Sequence, residues 1–230
     1  MYSITESNAK ILFTLLLSLF IITTYYPTFS GKFILDDKPL VKDNLSLREF
    51  SRPAFYLSYE DGVSDESLPG YHTGYYRPLV NLFYTIDYKI WGMKPSGFRA
   101  TNLILHLLTC IMLYQFLRAL LGGSFIPFVT TLLFGLHPVN TESVAWISSR
   151  NNILVTLFSL ISFYYYLKER NERRVWAGGL SYIFFLAALL CKEFGVMLLP
   201  IFFLYNRFMA SNNKICKDEI LGYILSLIHI

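Results

Sequence analysis

Charge is scarce in this chain. Asp, Glu, Lys and Arg together make up 16% of its 230 residues, against about a quarter in an ordinary soluble domain. The shortfall argues against a soluble globular enzyme. With 54% hydrophobic and 17% aromatic residues, the composition also excludes a disordered chain and a collagen-like fibre. The three cysteines, Cys110, Cys191 and Cys216, lie in separate segments and do not read as a disulfide framework. Several chemical signatures are missing too. No glycine-rich phosphate loop opens a helix, and there is no paired CxxC, no HExxH and no GxSxG. Nucleotide cradling, structural zinc, zinc-protease chemistry and the hydrolase elbow therefore have no support. The net charge of +4 reads as membrane topology rather than nucleic-acid affinity.

Long apolar runs are what the sequence has in abundance, and mean hydropathy is +0.43. The first run, 11–29, lies between Lys10 and Lys32 and is long enough to cross a bilayer. It leaves through Tyr25-Tyr26-Pro27, an aromatic interface anchor rather than a signal-peptide cleavage site, so it reads as a retained span. Further runs occupy about 98–117, 123–136, 153–167, 175–190 and 194–208, and a seventh begins near Ile220 and stops. The expected fold class is an all-α polytopic membrane protein with about six transmembrane helices and a truncated seventh. A polar stretch, about 30–96, holds nine of the sixteen acids and forms a large first outer loop. Within it Leu79, Leu82, Phe83, Ile86 and Ile90 recur at helical spacing, which predicts an amphipathic helix at the interface.

The short loops separate by charge. Arg118, then Lys168, Arg170, Arg173 and Arg174, then Arg207, Lys214 and Lys217 follow alternate runs. The opposite loops hold only Glu142 with Arg150, and Lys192 with Glu193. The positive-inside rule puts the N-terminus in the cytoplasm and the acidic loop outside. The last six residues, 225–230, match the translation of a widely used transposase sequencing adaptor. They are set aside as a scar. The expectation is that 1–224 is the N-terminal part of a longer membrane domain, and such a scar favours a prokaryotic inner membrane over the endoplasmic reticulum.

Charged groups beside a bilayer are costly unless they have partners or work. Asp36-Asp37, soon after the first span, could supply a general base or hold a divalent cation, or form a solvated acidic turn. His137, Glu142 and Arg150 crowd one short outer loop that Pro138 opens. They could bind a phosphate or sugar, or Glu142 and Arg150 could pair as an interfacial cap. Cys191-Lys192-Glu193 offers a cation with a partner, or a snorkelling lysine. Arg77 precedes Pro78, and Arg99, Asn102 and His106 open the second span; Arg77 could meet phosphate, and Asn102 and His106 share one helical face for packing or chemistry. No metal site is assigned, Asp36 and Asp37 being the only candidates. Asn44-Leu45-Ser46 is a glycosylation sequon of low specificity.

Four segments together resemble the membrane part of the transmembrane and tetratricopeptide-repeat O-mannosyltransferases and their prokaryotic relatives. They are Phe33-Ile34-Leu35-Asp36-Asp37-Lys38-Pro39-Leu40 with Asn44; Tyr76-Arg77-Pro78-Leu79 with Asn102 and His106; Leu136 to Val144 with Arg150; and Cys191-Lys192-Glu193. The resemblance implies a partial C-type glycosyltransferase fold. It also implies a polyprenyl-phosphate-linked sugar donor, mannose by family analogy, and transfer to a Ser or Thr hydroxyl of an exported acceptor protein. By carry-over Asp36 would be the base, with Asp37 beside it. Arg77, Arg150 and Lys192 would face the donor phosphate, and His137, Glu142 and Glu193 would shape the site. The chain departs from the family in having fewer spans and no helical repeat of about 34 residues. Asn140 stands where relatives often have a second His, which weakens a metal reading there. The rival expectations are a polytopic transporter, with charges along a pathway, and a non-catalytic membrane scaffold.

Overall fold

The computed structural model describes residues 2–48 and 76–208. Among them all regular structure is helical. Helix α1 runs Tyr2–Tyr25 and continues as a 3-10 turn through Ser30. Then follow a π-turn at Lys38–Lys42, a 3-10 turn at Leu45–Arg48, α2 (Pro78–Trp91) and α3 (Pro95–Leu121). Next come α4 (Phe125–Leu136), the short α5 (Asn140–Ala145), a 3-10 turn at Ile147–Ser149 and α6 (Arg150–Glu172). The described part closes with α7 (Val175–Leu189), a 3-10 turn at Glu193–Met197 and α8 (Leu198–Phe208).

Proline and glycine set several boundaries. Pro78 and Pro95 open α2 and α3, where a missing N–H costs nothing and the fixed φ favours the helix. Gly92 closes α2 at φ +61°, a conformation that Cβ disfavours elsewhere.

Two helices are long and apolar enough to cross a bilayer: Asn8–Ser30 and Pro95–Leu121. Helices α4 and α7 are apolar but only 12 and 15 residues long. At 1.5 Å per residue they cover roughly 18 and 22 Å of a hydrocarbon core of about 30 Å. Helix α6 has 23 residues but polar ends. The apolar runs among the described residues are thus helical, while bilayer-spanning length is established for two of them. Ile11, Leu12, Leu15 and Leu19 on α1, and Val175 and Ile183 on α7, are exposed. That much uncovered apolar surface belongs in lipid rather than water.

Helix α3 is the centre. It packs along α6 and α4, and α1 lies on α4. Phe13 stacks on Phe128 at 4.5 Å between α1 and α4. Deeper in the bundle, Tyr25 Oη and His106 Nε2 converge on the Gly135 carbonyl at 3.2 and 3.0 Å. His106 is therefore a buried hydrogen-bonding residue between α3 and α4. The face of α2 that packs inward is Val80, Tyr84 and Asp87. Ile86 and Ile90, from the apolar stripe visible in the sequence, point away from the protein, as a membrane-facing stripe would. Arg118 lies at the far end of α3 and Arg170 and Arg174 at the far end of α6, away from the helix starts that carry Arg99, Asn102 and Arg150. Part of the polar stretch (49–75), Lys214, Cys216, Lys217, the run from Ile220 and the terminal six residues lie outside the described residues.

Candidate functional site

The site assembles where the starts of α2, α3 and α6 meet the segment after α1. Arg99, in the first turn of α3, grips that segment. Its Nη1 donates to the Gly31 carbonyl, its Nη2 to Lys32 at 2.5 Å, and its Nε to Ala145 at 2.8 Å. One side chain thereby ties the segment leading to Asp36 to the end of α5. Asn102, one turn further on, donates to the carbonyls of Ser143, Val144 and Trp146 at 3.3–3.4 Å. Tyr84 adds a hydrogen bond from its hydroxyl to the Ile147 carbonyl at 3.0 Å.

Between these clamps the acidic pair divides. Asp37 is fully buried. Its Oδ1 accepts the Ser148 N–H at 2.8 Å and the Ser148 hydroxyl at 2.6 Å, and its Oδ2 accepts the Ile34 N–H at 3.1 Å. Asp36 is exposed. The turn that presents it is closed by the Asp37 N–H on the Ile34 carbonyl at 2.9 Å, and Leu35 inside it has φ +44°. A branched residue in the left-handed region costs about 1–2 kcal/mol, and the double clamp by Asp37 holds it there. Of the two carboxylates, Asp36 alone keeps its oxygens open to a substrate proton or a cation. Among the described residues no group of three His, Cys, Asp or Glu side chains is placed to hold a metal.

Arg150 lies where its neighbours in sequence do not predict. Its guanidinium is completely buried and pairs with Asp87, Nη2 to Oδ2 at 2.5 Å. The same Nη2 reaches the Phe98 carbonyl at 3.0 Å, and Nε reaches Asn102 Oδ1 at 2.7 Å. The cation also sits over the Tyr84 ring, 4.7 Å from its centre. The alternative pairing of Arg150 with Glu142 is not formed: Glu142 is exposed on α5, while Arg150 turns inward at the start of α6. Asp87 also accepts the Thr101 hydroxyl at 2.6 Å. Burial pushes its carboxyl above the ordinary range, with Arg150 and Thr101 pulling against the shift.

The Cys191-Lys192-Glu193 segment joins one helical turn along, on α6. Lys192 Nζ donates to Asn152 Oδ1 at 2.6 Å, and its ammonium lies 5.2 Å from the Phe194 ring centre. Asn152 follows Ser148 by four residues, so the Asp37 and Lys192 anchors are neighbours on the chain. Glu193 reaches across to Arg77 at 3.3 Å. Burial alone would raise the Glu193 carboxyl, but its own backbone N–H and the Arg77 guanidinium outweigh that and hold it below the usual carboxylate range. The contribution of this pair is therefore full above the ordinary Glu range and lost as pH falls through the lowered value. Because Glu193 is mostly exposed, Glu193→Gln should change thermal stability by less than about 1 kcal/mol. Thermal melts of both forms at neutral and acid pH check this, with the gap closing in acid.

His137 is exposed, and its Nδ1 accepts the Val139 N–H at 3.2 Å. Asn140 donates to the Phe134 carbonyl at 2.6 Å, capping the last turn of α4 rather than facing a ligand. The structure thus brings Asp36, Asp37, Arg77, Lys192 and Glu193 around the start of α6, with His137 and Glu142 on the adjoining loop. Sequence reasoning passed over Ser148, Asn152 and Asp87, the residues that hold the site together. For Asp87 a signal existed: it continues the Val80–Tyr84 face of an otherwise amphipathic helix, so an acid falls on the packed side. Asn44 of the sequon is buried and donates to the Leu40 carbonyl at 3.3 Å, a placement closed to glycan attachment.

Gly195 shows how tightly the Lys192 loop is seated. A Cβ there would lie 2.9 Å from the backbone of Ala188 and Leu189. Gly195→Ala should cost about 1–3 kcal/mol by overpacking, read as a lower melting temperature.

Residues 72–230 match the profile of a family described as dolichyl-phosphate-mannose-protein mannosyltransferase. The protein O-mannosyl-transferase TMTC2 of Mus musculus is 31% identical over 202 residues, covering 83% of this chain and 23% of the relative. The protein O-mannosyl-transferase TMTC1 of Homo sapiens is 29% identical over 201 residues, with the same coverage of 83% and 23%. The protein O-mannosyl-transferase F38B6.6 of Caenorhabditis elegans is 29% identical over 232 residues, 94% of this chain and 31% of the relative. The chain therefore spans about a quarter to a third of the length of these relatives. These are animal proteins, so the expectation of a prokaryotic membrane draws no support from them. No solved structure matches the chain.

Proposed function

Because the chain belongs to the dolichyl-phosphate-mannose-protein mannosyltransferase family, we propose that it forms the acidic-pair side of a membrane glycosyltransferase site. That enzyme moves mannose from a polyprenyl-phosphate carrier to a Ser or Thr hydroxyl of an exported protein. The chain is read as the N-terminal part of a C-type membrane domain of about six spans, with its N-terminus in the cytoplasm and the site outside.

The division of the acidic pair carries this reading. Asp36 takes the proton from the acceptor hydroxyl as that oxygen attacks the anomeric carbon. The bond from the sugar to the carrier phosphate breaks, and the carrier leaves as its phosphate. Asp37, held by Ser148 and Ile34, fixes where Asp36 stands. The departing phosphate needs positive charge. Lys192, on Asn152, and Arg77, on Glu193, supply it at the neighbouring turn, with His137 and Glu142 on the flanking loop. Arg150, occupied by Asp87 and Asn102, buttresses the site from beneath and is left out of the donor set.

A second feature favours a lipid-linked donor. A groove of about 310 Å3 runs between α6 and α8, lined by Val155, Thr156, Leu160, Phe163, Phe194 and Leu198 among others. Its first residues on α6 lie one turn beyond Asn152. A carrier chain in that groove would bring its phosphate up to Lys192. The test is a transfer assay on the complete reading frame containing this chain, offering mannose on a polyprenyl phosphate or on a nucleotide. Product from the polyprenyl donor alone is expected. Product from the nucleotide donor alone would overturn the reading.

A further inference from the structure

A second pocket, sharing no residue with the groove and beside the segment that leads to Asp36, opens at the start of the first outer loop. It has a volume of about 400 Å3 and is lined by Lys32, Phe33, Lys38, Lys42, Met93 and Pro95. Three of these six residues are lysines, and none is an acid. The other cations of this end have roles already described: Arg77 and Lys192 belong to the proposed transfer site, Arg150 pairs with Asp87, and Arg99 holds backbone carbonyls. Lys32, Lys38 and Lys42 are exposed, and among the described residues no hydrogen bond or ion pair neutralises their ammonium groups.

The cradle is nevertheless built. The Lys32 carbonyl is held by Arg99. Lys38 and Lys42 bracket a single π-turn closed by the Asp43 N–H on the Lys38 carbonyl at 2.8 Å, so four-residue spacing sets both side chains on one side of the turn. Phe33 is packed edge-on against Phe98 at 5.9 Å, which gives the pocket a fixed apolar wall. Its height relative to the bilayer follows from the chain. Lys32 lies two residues beyond the span that ends at Ser30, and Pro95 is the first residue of the other span. The pocket therefore opens at the boundary between hydrocarbon and water, where lipid phosphates reside.

We propose that this pocket binds a phosphate-bearing anion. Three lysines lining one pocket match the charge of a phosphate, and the Phe33, Met93 and Pro95 wall accepts the apolar part of an amphiphile. Its position favours the headgroup of an anionic phospholipid, with a free phosphate as the other source of the same chemistry. Bound there, the anion would brace the segment that leads to Asp36. The inference does not depend on the transfer reaction.

The test uses the full 230-residue chain in lipid nanodiscs. Native mass spectrometry counts retained phosphatidylglycerol in a phosphatidylcholine background, and calorimetry follows inorganic pyrophosphate added to discs of phosphatidylcholine alone. The comparison is with the triple variant Lys32→Gln, Lys38→Gln, Lys42→Gln. A juxtamembrane lysine strengthens anionic-lipid binding by roughly fivefold, so the triple variant should bind on the order of 100-fold more weakly. Lys168→Gln, near the end of α6 far from the pocket, should bind pyrophosphate as the parent does, and circular dichroism should show unchanged helix in all forms. Selective loss of phosphatidylglycerol identifies the lipid source, and selective loss of pyrophosphate binding identifies a soluble one. Parent chain that takes up neither, or a triple variant that binds both undiminished, overturns the proposal.

Discussion

Replacing Arg150 with Met should destabilise the folded chain by about 3–5 kcal/mol. The side chain is fully buried at the junction of α2, α3 and α6 and holds Asp87, Asn102 and the Phe98 carbonyl together. Its loss leaves the Asp87 carboxylate without its cation in a water-poor site. That is the expensive half of breaking a buried pair, because the remaining charge has nowhere to be solvated. Asp87→Leu alone should cost a similar amount by stranding the guanidinium. The double variant Asp87→Leu, Arg150→Met should recover most of the loss, since apolar replacement of both partners is often near neutral. Thermal or denaturant unfolding in a single detergent gives all four corners of the cycle. Additive losses in the double variant would mean that the two residues do not act as a pair.

Asp36→Asn should lower transfer by roughly 10²- to 10⁴-fold, the range a positioned general base contributes. Its melting temperature should stay near that of the parent, because the Asp36 side chain is exposed and no hydrogen bond within the described residues depends on it. Asp37→Asn should behave in the opposite way. An amide in that position can accept from Ser148 with its oxygen but sets an NH2 against the Ile34 N–H, so the part-buried N–H loses its acceptor and the buried NH2 finds none, at about 1–3 kcal/mol. Stability should fall, and transfer should fall with it to the extent that the turn carrying Leu35 relaxes. Asp37→Asn activity should recover on cooling, whereas Asp36→Asn activity should not. Transfer assays at two temperatures beside melting curves separate the two roles.

The pattern of the sequence made much of this legible, and in a consistent way. Apolar runs betray helices through composition, and every run among the described residues is one. Pro78 and Pro95 mark the starts of α2 and α3. Run bounds and helix bounds differ where turns intrude: the run 123–136 yields α4, a helix of 12 residues, because the Gly122-Gly123 bend precedes it and His137-Pro138 ends it. The clustering of Asp36, Asp37, Lys192 and Glu193 at one end was visible through the alternation of charged loops. Which member of the acidic pair faces inward was not, since adjacent identical residues carry no directional signal. Arg150 shows the other limit. Nearness in sequence offered Glu142 eight positions away, whereas the fold supplies Asp87 from 63 positions back. Ser148 and Asn152 are small polar residues without periodicity, and only the backbone path of α6 reveals that they are the anchors of Asp37 and Lys192.

The division of labour within the acidic pair underlies the whole functional reading, and it can be measured on the native chain without any activity. Carbodiimide-activated amine labelling followed by peptide mass spectrometry reports the accessibility of each carboxylate. Asp36 should be labelled rapidly, while Asp37 stays protected until the chain is unfolded. Equal labelling of both, or labelling of Asp37 ahead of Asp36, would contradict the assignment of Asp36 as the open base and of Asp37 as its support.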